Sequence, residues 1–176
     1  LGAGPKQFMK GLVENISGQQ VAAIDEILAA APKKVYILLG TNSMATLTDE
    51  AFLKYYNDFL DFLLPQLPQD TVYYIQGIPP VSAEKMAGDE NFSVERIRGL
   101  NENLAKIAYD RDLHYLDLFS ALADENGALR ADIASGSIHL NNEGYNVWRE
   151  LLVTHTAYSK ENPYLPGSPY YTAPAA

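Results

Sequence analysis

Five consecutive apolar residues, Val35-Tyr36-Ile37-Leu38-Leu39, are enclosed by Lys34 and Gly40. A run of this length without polar alternation suits a strand buried on both faces, as in a parallel sheet covered by helices. Its flanks agree. Before it, Val21, Ala22, Ile24, Ile27, Leu28 and Ala31 recur at helical spacing across residues 19–31, and Pro32 closes the segment. After it, Thr48-Asp49-Glu50 offers a hydroxyl cap and an acidic first turn. Phe52, Tyr55, Tyr56, Phe59 and Leu63 then form one apolar face until Pro65. A second strand is predicted over residues 71–76, followed by a long loop over 77–92. A third helix opens at Ser93, with Ile97, Leu100, Leu104, Ile107 and Ala108 on one side. A third strand is predicted over 113–118, an irregular stretch over 119–140, and a last helix from Asn141 or Asn142 to about His155. Residues 1–18 are Gly-rich and weakly patterned.

Helices alternating with short apolar strands predict an α/β fold: three layers, α/β/α, around a flavodoxin-like parallel sheet with right-handed crossovers. The 176 residues suit one domain, expected over 1–156. Residues 157–176 read as a separate tail, because they hold four of the ten Pro and four of the twelve Tyr. Such a tail is expected to lie extended on the domain or to lead onward.

Charge and composition remove whole classes of function. Thirteen Lys and Arg against 22 Asp and Glu leave a net charge of −9 and a pI near 4.7. Such a surface repels phosphate backbones, so neither nucleic acid nor an anionic membrane is an expected partner. With no Cys, disulfide scaffolds, thiolate metal sites and Cys nucleophiles are excluded. No apolar run approaches the roughly 18 residues that would span a bilayer. His114, His139 and His155 have no carboxylates at ligand spacing, and no glycine-rich phosphate motif occurs, so neither a metal nor an organic cofactor is expected.

In parallel α/β sheets, sites form beyond the carboxyl ends of the strands. Two polar loops fit that position: Gly40-Thr41-Asn42-Ser43, and Gly136-Ser137-Ile138-His139-Leu140-Asn141-Asn142-Glu143-Gly144-Tyr145. Singly, the first reads as a turn and the second as a surface or capping segment. Together, with Trp148 on the following helix, they resemble the SGNH (GDSL-type) ester hydrolase superfamily. Asn15-Ile16-Ser17-Gly18-Gln19 resembles the family's Ser-Gly block and reads equally well as a helix cap. The resemblance spans residues 14–155 and implies a serine-type esterase. In it, His139 moves the proton, while the Gly18 N–H and the Asn42 amide form an oxyanion hole. It implies a small-acyl or lipid ester as substrate, with O-acetylated carbohydrate one leading candidate, and no cofactor. An extracellular or cell-surface bacterial setting is favoured; oligomeric state is not legible.

Two family residues are missing from the matching positions. No Gly-Asp-Ser motif precedes Ser17, so the nucleophile and a first strand are expected ahead of Leu1. Ser17 and Ser43 are poorer substitutes. Where the family carries Asp three residues before its histidine, this chain has Gly136. A backbone carbonyl is the expected replacement partner for the imidazole, ahead of Asp132. Two alternatives follow: a non-catalytic SGNH-like carbohydrate-binding module, or a flavodoxin-like domain whose motifs match by chance.

Overall fold

The computed structural model describes residues 4–14 and 17–156. In chain order the elements are α1 (Pro5–Lys10), β1 (Leu12–Glu14), β2 (Gln20–Ala22), α2 (Ala23–Ala30), β3 (Lys34–Ile37), α3 (Thr41–Met44) and α4 (Asp49–Leu63). They continue with β4 (Val72–Gln76), α5 (Ala83–Gly88), α6 (Val94–Asp110), β5 (His114–Leu116), α7 (Leu118–Leu122) and α8 (Asn142–His155). The chain is thus an α/β protein with a parallel sheet. Its contacts divide it into two compact units: residues up to Ile78 with Asn91–Tyr115, and Pro79–Glu90 with the residues from Leu116 on. The expected tail, 157–176, lies outside the described residues.

The first unit is organised by β4, which lies between β3 and β5. The pairing of β3 with β4 is parallel, with Tyr36 opposite Tyr74 and Ile37 opposite Ile75. Burial on both faces holds for β4, where Tyr73, Tyr74, Ile75 and Gln76 are all buried. It does not hold throughout β3: Tyr36 is 36% exposed, and among the described residues β3 is an edge of this sheet. The rings of Tyr36, Tyr74 and His114 stack across the three strands, with centroids 4.6 Å and 4.9 Å apart.

Thr48 caps α4 by accepting a hydrogen bond from the Ala51 N–H. The helix then buries Phe52, Tyr56, Phe59, Leu60 and Leu63, the face that its 3.6-residue periodicity requires. Pro65 falls in a 3₁₀ turn, Leu64–Gln66, that ends it. Phe8 of α1 meets Phe59 edge-on at 5.0 Å, so the N-terminal helix closes over this face. Ser93 caps α6 through the Arg96 N–H, and Ile97, Leu100, Leu104 and Ala108 are buried.

Four local expectations change. The helix predicted from residue 19 begins at Ala23, because residues 20–22 pair with β1 as an antiparallel hairpin. The weakly patterned start contains α1 and β1. The loop over 77–92 contains α5 and a 3₁₀ turn, Glu90–Phe92. In the second unit, the irregular stretch contains α7, capped by Asp117, and a 3₁₀ turn, Ala131–Ile133.

Candidate active site

Asn42 sits in α3, a single turn entered from β3 through Gly40. The Gly40 carbonyl accepts from the N–H groups of both Ser43 and Met44, at 2.8 and 3.0 Å. Gly40 has φ of 155°, and a Cβ there would lie 2.6 Å from Ile78 Cγ1. Only glycine satisfies both the backbone angle and the close approach. Ile78 is itself fixed: its N–H donates to Asn101 Oδ1 at 2.7 Å, and its carbonyl accepts from Asn101 Nδ2 at 2.9 Å.

The other end of the turn is held by Arg96. Its guanidinium donates to the carbonyls of Met44 (2.9 Å), Leu47 (2.7 Å) and Asn91 (3.0 Å), and to Asp49 Oδ1 (2.7 Å). With Ser43 and Met44 buried and both ends tethered, the exposed Asn42 stands on a fixed turn. Neither Arg96 nor Asn101 was marked by the sequence. Each is a helix residue whose partners lie more than twenty positions away, apart from Asn91. Gly18 lies between β1 and β2, exposed and with φ of 77°. It therefore belongs to the hairpin turn and does not cap α2, whose N-cap Ala22 makes no side-chain cap bond.

His139 belongs to the second unit. The Ser135 N–H donates to the His139 carbonyl at 2.7 Å, closing a five-residue loop. Asn141 then locks that loop to α8. Its Oδ1 accepts from the Gly144 N–H at 3.0 Å, and its Nδ2 donates to the Asp132 carbonyl at 2.8 Å. Its own N–H donates to the Ile133 carbonyl at 2.9 Å. A Cβ on Gly144 would lie 2.7 Å from that same carbonyl oxygen, so the His-Leu-Asn-x-x-Gly spacing has a steric cause.

His139 is exposed, and among the described residues no side chain or carbonyl engages its imidazole. Asp132 is turned to Arg130, which donates to it from Nε (3.2 Å) and Nη2 (2.9 Å). That bond holds the Asp132 carboxyl below its ordinary value. The same unit has a cavity of about 590 Å³ lined by residues of α5, its flanks and the Gly136-Ser137 segment. Of the other histidines, His114 lies in β5 and His155 ends α8. Among the described residues, no cluster of three His, Asp or Glu could hold a metal ion.

Residues 7–147 match the model of the GDSL-like lipase/acylhydrolase family. The chain belongs to this family. The match takes in both motif loops and the elements that carry them. Solved structures agree on the fold. A structure from Bacteroides fragilis assigned as an acylhydrolase is 17% identical, with a TM-score of 0.61 over 73% of this chain and 62% of that one. A GDSL-like lipase from Bacteroides thetaiotaomicron is also 17% identical, with a TM-score of 0.60 over 73% and 63%. The chain thus spans somewhat under two thirds of the length of these two structures. No curated protein matches it. No helix among the described residues is long and apolar enough to cross a membrane.

Proposed function

We propose that this GDSL-family protein is a serine-type ester hydrolase acting on a small-acyl or lipid ester, O-acetylated carbohydrate being one candidate substrate. One observation carries the reading: the family match covers the loops of Asn42 and His139 together. In the proposed mechanism a serine hydroxyl attacks the ester carbonyl while His139 takes its proton. The resulting alkoxide is held by the Asn42 amide and the Gly18 N–H. The C–O bond then breaks, and His139 returns the proton to the leaving alcohol. Water, deprotonated by the same imidazole, releases the acyl group as its acid and regenerates the serine.

The fixed α3 turn supports the role of Asn42, since a donor aimed in advance costs no reorganisation when charge develops. A second reading, a non-catalytic carbohydrate-binding module, draws on the imidazole's lack of an orienting partner among the described residues. Hydrolysis of p-nitrophenyl acetate by the protein as its gene encodes it separates the two. His139→Ala is expected to lower kcat/KM by about a hundredfold or more. Asn42→Ala should lower kcat by about a hundredfold with little change in KM, because the oxyanion forms only near the transition state. Equal rates for wild type and His139→Ala would overturn the hydrolase reading. Glycan binding without turnover would establish the second.

A further inference from the structure

The second unit's cavity has a composition that selects among ester substrates. Its volume, about 590 Å³, falls within the roughly 300–1,000 Å³ of small-molecule sites. Most such sites are mainly apolar. This one presents Ser82, Glu84, Lys85, Asp89 and Ser137, and its remaining lining is glycine. No apolar side chain lines it, so an acyl chain would gain little by entering, and the polar groups would lose water.

The walls are fixed to one another. The Ser82 N–H donates to the Ser137 carbonyl at 2.8 Å, joining the start of α5 to the segment just before His139. Lys85 and Asp89 pair at 2.9 Å along α5, their side chains only 33% and 28% exposed. Open space adjoins two of the lining glycines. A Cβ at Gly136 or at Gly88 would meet nothing within 4 Å, and Gly136 has φ of 83°, which disfavours a side chain.

The chemistry on offer is mixed. Lys85 donates, Glu84 and Asp89 accept, and the two serine hydroxyls do both. One ammonium against two carboxylates leaves the lining net negative, which disfavours a phosphate or another anionic head group. A ligand whose hydroxyls each donate and accept matches this set. We propose that the cavity is the subsite for the hydroxyl-rich alcohol portion of the ester, a sugar ring, with Ser137 of its lining two positions before His139 in the chain. The inference rests on the hydrolase reading for the role of that histidine, whereas binding of the sugar is measured without it.

The experiment has a binding arm and a turnover arm, both on the protein as its gene encodes it. Methyl glucoside titrated into isotope-labelled protein should shift the amide signals of residues 82–89 and 136–137. Lys85→Met and Gly136→Asn should each weaken that binding about tenfold, the first by removing a donor and the second by filling the space. In turnover, each variant should lower the ratio of kcat/KM for acetylated methyl glucoside over p-nitrophenyl acetate, again about tenfold. Absence of shifts at these residues, or shifts produced by decanoate in place of the sugar, overturns the proposal. An unchanged ratio in both variants, with His139-dependent turnover intact, also overturns it while leaving the hydrolase reading standing. Sugar binding at these residues with turnover indifferent to His139→Ala does the reverse.

Discussion

Two side chains of the first unit carry a cost or a charge sensitivity that can be measured. The Tyr56 hydroxyl is fully buried and has no hydrogen-bond partner among the described residues. Burial pushes its ionisation well above the ordinary tyrosine range. A buried hydroxyl without a partner forfeits its hydration, so Tyr56→Phe is expected to stabilise the protein by about 1 kcal/mol. The shift of the urea midpoint reads this directly, and a lower midpoint would contradict it. His114, stacked on Tyr74, has its pKa lowered by desolvation, against a smaller opposing influence from Asp112. In the unfolded chain it titrates near 6.5. As pH falls through that value, the unfolded state takes up the proton first, so stability declines toward the lower folded-state pKa. His114→Phe keeps the ring and removes the proton site. Its stability should therefore fall less steeply below pH ~6.5 than that of wild type, as denaturant midpoints across a pH series would show.

At the scale of elements, α6 acts as a brace for the loops that follow two strands. From one helix, Asn101 holds the segment after β4 and Arg96 holds the segment after β3. Arg96 is only 16% exposed, and its bonds to charged and carbonyl partners are each stronger than neutral ones. Arg96→Met leaves those carbonyls without their donor, and a loss of about 2–4 kcal/mol is expected. Hydrogen exchange should report it locally: the Ser43 and Met44 amides should lose protection before those of α4. Equal loss throughout the unit would mean that Arg96 supports the fold generally and not this turn. Elements also show what periodicity can and cannot reveal. The α4 and α6 faces were legible because fifteen and seventeen residues repeat one spacing. The six residues of α5 and five of α7 are too few for a period to emerge. Their capping residues, Ser82 and Asp117, were the available signals. The hairpin of β1 and β2 was hidden for another reason: residues 20–22 continue the helical spacing of α2, and only pairing across the turn makes them extended.

Across the whole molecule, the alternation of helix and strand was readable because each element must bury a face with a distinct period. The grouping into two compact units was not, since sequence spacing carries no record of which contacts cluster. The same limit applies to the candidate site. Asn42 and His139 stand out in the sequence because each lies in a loop with a strict neighbour pattern, and steric causes at Gly40 and Gly144 account for part of that pattern. The cavity beside Ser137 was not legible, because Ser82 and Ser137 are brought together by one main-chain hydrogen bond. Asp132 was a candidate partner for the histidine on distance along the chain alone; its salt bridge to Arg130 shows where its charge is used.

The loop of residues 135–139 is closed through main-chain atoms and anchored by Asn141, with the imidazole taking no part among the described residues. The closure of the loop is therefore uncoupled from the side chain at position 139. A lineage could exchange that histidine, or recover it, by a single codon change without disturbing the hydrogen bonds that shape the loop.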